Sequence, residues 1–245
     1  MKKIQFFSVV DGLATSYPIV ESARTMPKWI HRAREQYKNK KEQAGSDRFP
    51  HIYKCPGVID LMATGYIVTA WHDFVVRTEF GREGFGWTVP SNNLQELMPD
   101  RELLSSHTAD GVTEHIPRSD RQSSTIVKVN TPWHVVVPKG IKLLVLPLAY
   151  PDHDAFEAAP GILDPGVSSE INIQLWWNVL DGEHQVNAGD PLAQIIPLSE
   201  EQLELLVRDA TSWDQLWVKK KKFFESLSFT TKRPLIKKNY QGHFE

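Results

Sequence analysis

The chain has 245 residues and a single cysteine, Cys55. One thiol cannot form an internal disulfide, and it excludes a cysteine-rich structural zinc site. It fits a reducing compartment, and a small buried thiol is its expected role. No run of about 18 apolar residues occurs, so no helical membrane span is expected. There is no Walker loop, no Gly-x-Gly-x-x-Gly fingerprint and no Gly-x-Ser-x-Gly elbow. The common signatures for cradling phosphates, binding dinucleotides and carrying a nucleophilic serine are therefore missing. No internal repeat is present, and the one biased run is Lys219–Lys222. The opening MKKIQFFSVVDGLATSYP alternates and contains Asp11, which reads as a strand rather than a signal peptide.

What is present is a globular composition, 41% apolar and 24% charged. That rules out collagen, a coiled coil and a wholly disordered chain. The net charge of −2 conceals a segregated layout. Residues 1–50 hold 10 Lys/Arg against 5 Asp/Glu. Residues 51–198 hold 9 against 18, and residues 199–245 hold 9 against 7. An acidic middle lies between basic ends. Those ends either pack on acidic surface or contact a polyanion.

Residues 4–10 read as a strand, and a charged surface helix is expected from about Pro27 to Gln43. CPGVIDLMATG reads as a turn with a short helical piece. YIVTAWHDFVVRTEF reads as one long strand. Residues 90–122 are polar and poorly periodic and are expected to be loops. STIVKVN, WHVVVP and IKLLVLP read as three short strands, with a tight connection at Pro138-Lys139-Gly140. INIQLWWN alternates, with Ile171, Ile173, Leu175 and Trp177 on one face. Trp176 falls on the other face, which places it in a second interface or in solvent and points to oligomerisation or ligand stacking. PLAQIIPL is a further strand. SEEQLELLVRDA carries a capping serine and Leu203, Leu206 and Val207 at helical spacing, so a helix is expected. TSWDQLWVKKKKFFESL reads as a second helix. Short strands at close spacing predict an antiparallel barrel or sandwich.

Nine histidines invite a search for metal ligands. His107, Asp110 and His115 lie in one polar stretch, and two imidazoles with a carboxylate can make a facial triad for iron. His153 sits between two acids in PDHD, a pattern equally at home in a plain turn.

The most informative stretch is 160–198. Gly161, Ile162, Leu163, Asp164, Pro165 and Gly166 form one turn. Gly189, Asp190, Leu192, Ala193, Gln194 and Ile195 form a second block, and VVVPKGIKLLVLP precedes both. Over about 132–198 this order and spacing resembles the core of the dUTPase and dCTP-deaminase superfamily. The resemblance implies a mainly β, α+β protein: a small distorted antiparallel barrel or jelly-roll with helical elaborations at both ends. The expected organisation is an N-terminal α+β elaboration (1–125), the barrel core (126–198) and a helical, basic C-terminal segment (199–245).

The same resemblance makes Asp164 the candidate for orienting a sugar and activating water. It makes Glu170 the nearest candidate for a deaminase glutamate, and it makes Gln194 a binding candidate. Three family features are absent. No aromatic follows the Asp164 turn. Tyr150, Pro151, Asp152, His153 and Asp154 stand where a phosphate-binding Pro-Arg-Ser-Ser segment is expected. The C-terminal stretch lacks a glycine-rich arm. Acids where a phosphate needs cations are electrostatically wrong.

The chain also resembles proteins of tailed bacteriophages, through the Cys55-Pro-Gly-Val-Ile-Asp turn, Trp71-x-Asp73 and the Ile171 strand. The reading that follows is a non-enzymatic phage-type binding or assembly protein on a dUTPase-like barrel. It is expected to be a homo-oligomer, a trimer by analogy with the family, in host cytoplasm or virion. Its partner contact, to a protein or polyanion, would use Lys219, Lys220, Lys221, Lys222, Lys237 and Lys238, with Phe223 and Phe224 as apolar anchors. No cofactor is expected for that role. The alternative is a divergent nucleotide pyrophosphatase using Asp164 and Mg²⁺. A second alternative is a non-haem metal enzyme using His107, Asp110 and His115.

Overall fold

A computed structural model describes residues 2–79, 84–90, 94–98, 102–108, 111–112 and 114–225. The chain opens with β1 (Lys3–Ser8), α1 (Leu13–Ser16), β2 (Val20–Glu21), α2 (Lys28–Ala44) and α3 (Pro56–Ala63). Next come β3 (Tyr66–Thr69), β4 (Phe74–Glu79), β5 (Gly84–Thr88), α4 (Leu94–Leu97) and β6 (Leu104–His107). The dense β region holds β7 (Ile126–Val136), β8 (Leu143–Leu146), β9 (Phe156–Ala158), β10 (Gly161–Leu163), β11 (Glu170–Trp177), β12 (Gly182–Val186) and β13 (Pro191–Pro197). β14 (Glu204–Asp209) and α5 (Ser212–Glu225) complete it.

The protein is mainly β. Its strands form three sheets, ordered β14-β1-β7-β11-β9 with β6 also on β7, then β10-β8-β13-β3-β2, then β12-β4-β5. No closed barrel is found among the described residues, which corrects that part of the expected architecture. One core serves all three sheets. Phe6, Val129, Trp133 and Ile173 come from the first, Val68, Leu143, Leu192 and Ile195 from the second, and Phe74, Val76 and Val186 from the third. Strands from residues 1–125 are woven into the others: β1 pairs with β7, β3 with β13 and β4 with β12.

Four expectations change. STIVKVN and WHVVVP are one strand, β7, not two. Pro132 is accommodated in a bulge of β7 itself, where residues 131–133 stand against Ile171 alone, between the pairs Asn130↔Asn172 and His134↔Glu170. The Thr131 hydroxyl donates to the Ile171 carbonyl there and accepts from the Trp133 N–H. The long strand from Tyr66 breaks at residues 70–73, which sends β3 and β4 to different sheets. Within 90–122, β6 pairs with the first half of β7. The expected helix after Ser199 is instead β14, which runs parallel to β1 from Lys3↔Glu204 to Ser8↔Asp209. Leu203, Leu205 and Val207 alternate along this stretch, and all three pack against the core. Among the described residues every other strand pairing is antiparallel.

The predicted helix at α5 is present. Its inner face puts Val218 with Phe7 and Val136, and Trp217 packs against them. A capping box starts it: the Asp214 N–H bonds to the Thr211 hydroxyl at 3.2 Å, and the Thr211 N–H to the Asp214 carboxylate at 2.7 Å. Arg208 on β14 reaches both oxygens of Asp214, at 2.6 and 3.1 Å. Burial raises the Asp214 pKa, but the hydrogen bonds from Arg208 and Thr211 and the Arg208 charge outweigh it and bring it to about 2.

Two predictions follow from these contacts. Gly65 holds φ +79°, and a Cβ there would run into the Ile195 carbonyl, whereas a Cβ on Gly140, at φ +88°, meets nothing. Gly65→Ala should cost about 3 kcal/mol and Gly140→Ala about 1 kcal/mol, read by denaturant unfolding. For Asp214, the folded pKa lies below the ordinary 3.8. Its contribution of roughly 1–2 kcal/mol, allowing for solvent screening, is therefore present above pH 4 and lost as pH falls toward 2. Asp214→Asn should flatten that part of the stability curve.

Candidate functional site

Where the second sheet meets β9 and β12 lies a cavity of about 470 Å³. That size matches a small-molecule site. Four segments enclose it. The turn after β2 brings Ser22 and Thr25, and the start of α2 brings Met26, Pro27 and Lys28. β3 supplies Ile67 and Thr69, with Met62 of α3 beneath them. The loop before β9 supplies Leu148, Ala149, Pro151, Asp152 and His153, and then comes Phe156. His184 and Gln185 of β12 and Gly189, Asp190, Pro191 and Gln194 close the ring.

Local chemistry fixes each wall. The loop before β9 is docked on α2: the Lys28 N–H donates to Asp152 Oδ2 at 2.7 Å, and the Trp29 indole N–H donates to the Tyr150 carbonyl at 2.9 Å. Tyr150 takes φ +54°, the one non-glycine residue with positive φ among those described. The Asn187–Asp190 turn is closed by Asp190 Oδ2, which accepts from the Asn187 N–H at 2.8 Å and its side-chain amide at 3.2 Å. Asp73 Oδ1 holds the same turn through the Ala188 N–H at 2.7 Å. Phe156 stacks on Trp177 with ring centroids 5.6 Å apart, and His153 lies 4.4 Å from Phe156. His184 touches the same cluster, 6.4 Å from His153.

Three polar atoms of this wall are buried without a hydrogen-bond partner: Ser22 Oγ, Thr69 Oγ1 and His153 Nδ1. Ser22 is 1% exposed and Thr69 7%. Thr69 stands opposite Pro191, at the point where the β3–β13 register shifts. Burial pushes the His153 imidazole below its ordinary value of 6.5, and the His184 charge adds to this. The carboxylates of Asp190, Asp154 and Asp152 pull the other way without reversing it. The wall thus offers two hydroxyls, a neutral imidazole and two carboxylates over an apolar floor.

The residues singled out from the sequence are scattered. Asp164 sits in the turn after β10, where Oδ1 accepts from the Gly166 N–H at 3.0 Å and its carbonyl from the Val167 and Ser168 N–H groups. It does not line the cavity. Glu170 begins β11 opposite His134. Gln194 lines the cavity, but its amide is committed to the Leu61 and Thr64 carbonyls at 2.7 and 2.6 Å and anchors the end of α3. Trp176 is 7% exposed, against the expectation of an outward ring. β11 is an interior strand, and Ile126 and Glu157 flank Trp176 from β7 and β9.

Lys219 and Lys220 are exposed on α5, and Lys221 and Lys222 continue that helix. Lys237 and Lys238 lie outside the described residues. His107 is on β6 and His115 in a turn, while Asp110 lies outside the described residues. Among the described residues no three His, Cys, Asp or Glu side chains gather as a metal site. Cys55 is exposed, not buried. Among the described residues no helix is long and apolar enough to cross a membrane.

Sequence reasoning missed Ser22, Thr69 and His184. It met His153 and Asp152 as part of the PDHD stretch, weighed for metal ligation and as residues that displace a phosphate segment. No protein-family model matches this chain, and no curated protein matches it.

The His153 environment gives a direct check. Its ring protons should titrate with a midpoint below 6.5 in an NMR pH series. Because the unfolded chain then binds the proton more readily, acidification through that range destabilises the fold. A midpoint above 6.5 would contradict the packing around Phe156 and His184.

Proposed function

We propose that this is a binding protein, and that its ligand is a small molecule taken into the cavity between Ser22, Thr69, His153 and Asp190. One observation carries this reading: three residues that each hold a buried polar atom without a partner line one ligand-sized space. Leaving a buried polar group unsatisfied costs about 1–3 kcal/mol. Three such groups make up a large part of an ordinary folding stability of about 5–15 kcal/mol. A bound molecule that supplies donors and acceptors returns that energy on binding.

This keeps the non-enzymatic reading of the sequence and moves its site from Trp176 and the lysines to the cavity. The pyrophosphatase alternative draws less support. The Asp164 carboxylate is engaged within its own turn, and Asp152 and Asp190 line the space where phosphates would need cations. The phage-type assembly role and the homo-oligomer remain a second part of the proposal. Their support is the outer face of α5, where Trp213 is 64% and Leu216 60% exposed beside Lys219 and Lys220.

Thr69→Val tests the binding reading, because it removes the hydroxyl and keeps the shape. The ligand-free variant should be as stable as the parent or more so, by about 0–1 kcal/mol. Compounds from a small-molecule panel that raise the Tm of the parent should raise that of the variant by less than half as much. A variant that is clearly less stable, or a panel whose effects ignore the substitution, would count against the cavity as the site.

A further inference from the structure

We propose that the cavity selects a small organic cation, an amine-bearing molecule with an apolar body; this rests on the binding reading above. Asp152 and Asp190 both line the space, and neither has a cationic side chain within ion-pair distance among the described residues. Each has accepted only N–H groups on Oδ2, from Lys28, and from Asn187 twice. A carboxylate offers about four lone-pair sites, so both keep acceptor capacity.

Lys28 is the one Lys or Arg of the wall, and what it gives Asp152 is its backbone N–H. His153, between the acids and the aromatic cluster, is biased toward its neutral form and so adds no positive charge to oppose a cation. Ser22 and Thr69 line the same wall, both are more than nine-tenths buried, and their hydroxyls have no partner in the protein. Phe156 and Met62 supply the apolar contact, and an aromatic face also favours a cation. An anion in the same place would meet two carboxylates and no free cationic partner at depth.

Three probes with one carbon frame separate the possibilities: tyramine, the neutral alcohol tyrosol and 4-hydroxyphenylacetate. Calorimetric titration of the full chain at pH 7.5 should give tyramine a Kd at least about tenfold below that of tyrosol, with 4-hydroxyphenylacetate weakest. Asp152→Asn should reduce the tyramine advantage to about threefold or less and leave tyrosol unchanged. Equal binding of the three, or a preference for the acid, overturns the cation inference and leaves the binding reading standing. If none of the three binds, or if tyramine binds Thr69→Val as it binds the parent, the binding reading fails as well.

Discussion

The ladder between β7 and β11 is the interaction on which the rest of the molecule depends. It runs from Glu170↔His134 to Trp176↔Ile126 and yields once, at the β7 bulge that contains Pro132. The other edge of β7 is shared by β1 and β6. β1 then carries β14, and β14 carries Arg208 to the start of α5. On its far side β11 carries β9, which sets Phe156 on Trp177. A slip of one residue along β7 would turn Ile171, Ile173 and Leu175 out of the core and take Phe156 off its stacking partner.

The cavity follows from that placement. Phe156 fixes one end of the loop that bears Asp152 and His153, and α2 fixes the other through Lys28 and Trp29. The opposite wall belongs to the second sheet, where Thr69 meets Pro191 at an irregular step of the ladder. Proline offers no N–H, and beside that step the buried Thr69 hydroxyl has no hydrogen-bond partner. The unpaired groups are thus made by strand register and turn geometry, on elements held rigidly by the core. That is where a binding site gains precision.

Much of the fold was legible in the residues. Alternation marked β11 and β13, the charged run marked α2, and the turn residues marked most connections. Three features were not legible, for physical reasons. Alternation gives the face of a side chain but not whether that face is covered, so Trp176 read as outward. Leu203 and Val207 share a face at either period, and only the distant β1 decides for a strand. Pro132 reads as a break unless the bulge it occupies in β7, against the distant β11, is known. Of the candidate site, Tyr150–Asp154 drew notice as the stretch that departs from the expected phosphate-binding segment. Ser22, Thr69 and His184 come from three distant stretches, and local pattern cannot bring them together.

The charge layout takes on a meaning at this scale. The acidic share of the middle region includes Asp152 and Asp190, which face the cavity, while the basic share lies on α2 and α5. The central claim is that Ser22, Thr69 and His153, each with a buried polar atom that no protein group pairs, line one ligand-sized space. A high-resolution crystal structure of the ligand-free protein tests it most directly. The account predicts an open cavity lined by these three residues, with Ser22 Oγ, Thr69 Oγ1 and His153 Nδ1 making no hydrogen bond to protein. A collapsed cavity, with the two hydroxyls and the imidazole bonded to protein groups, would contradict it.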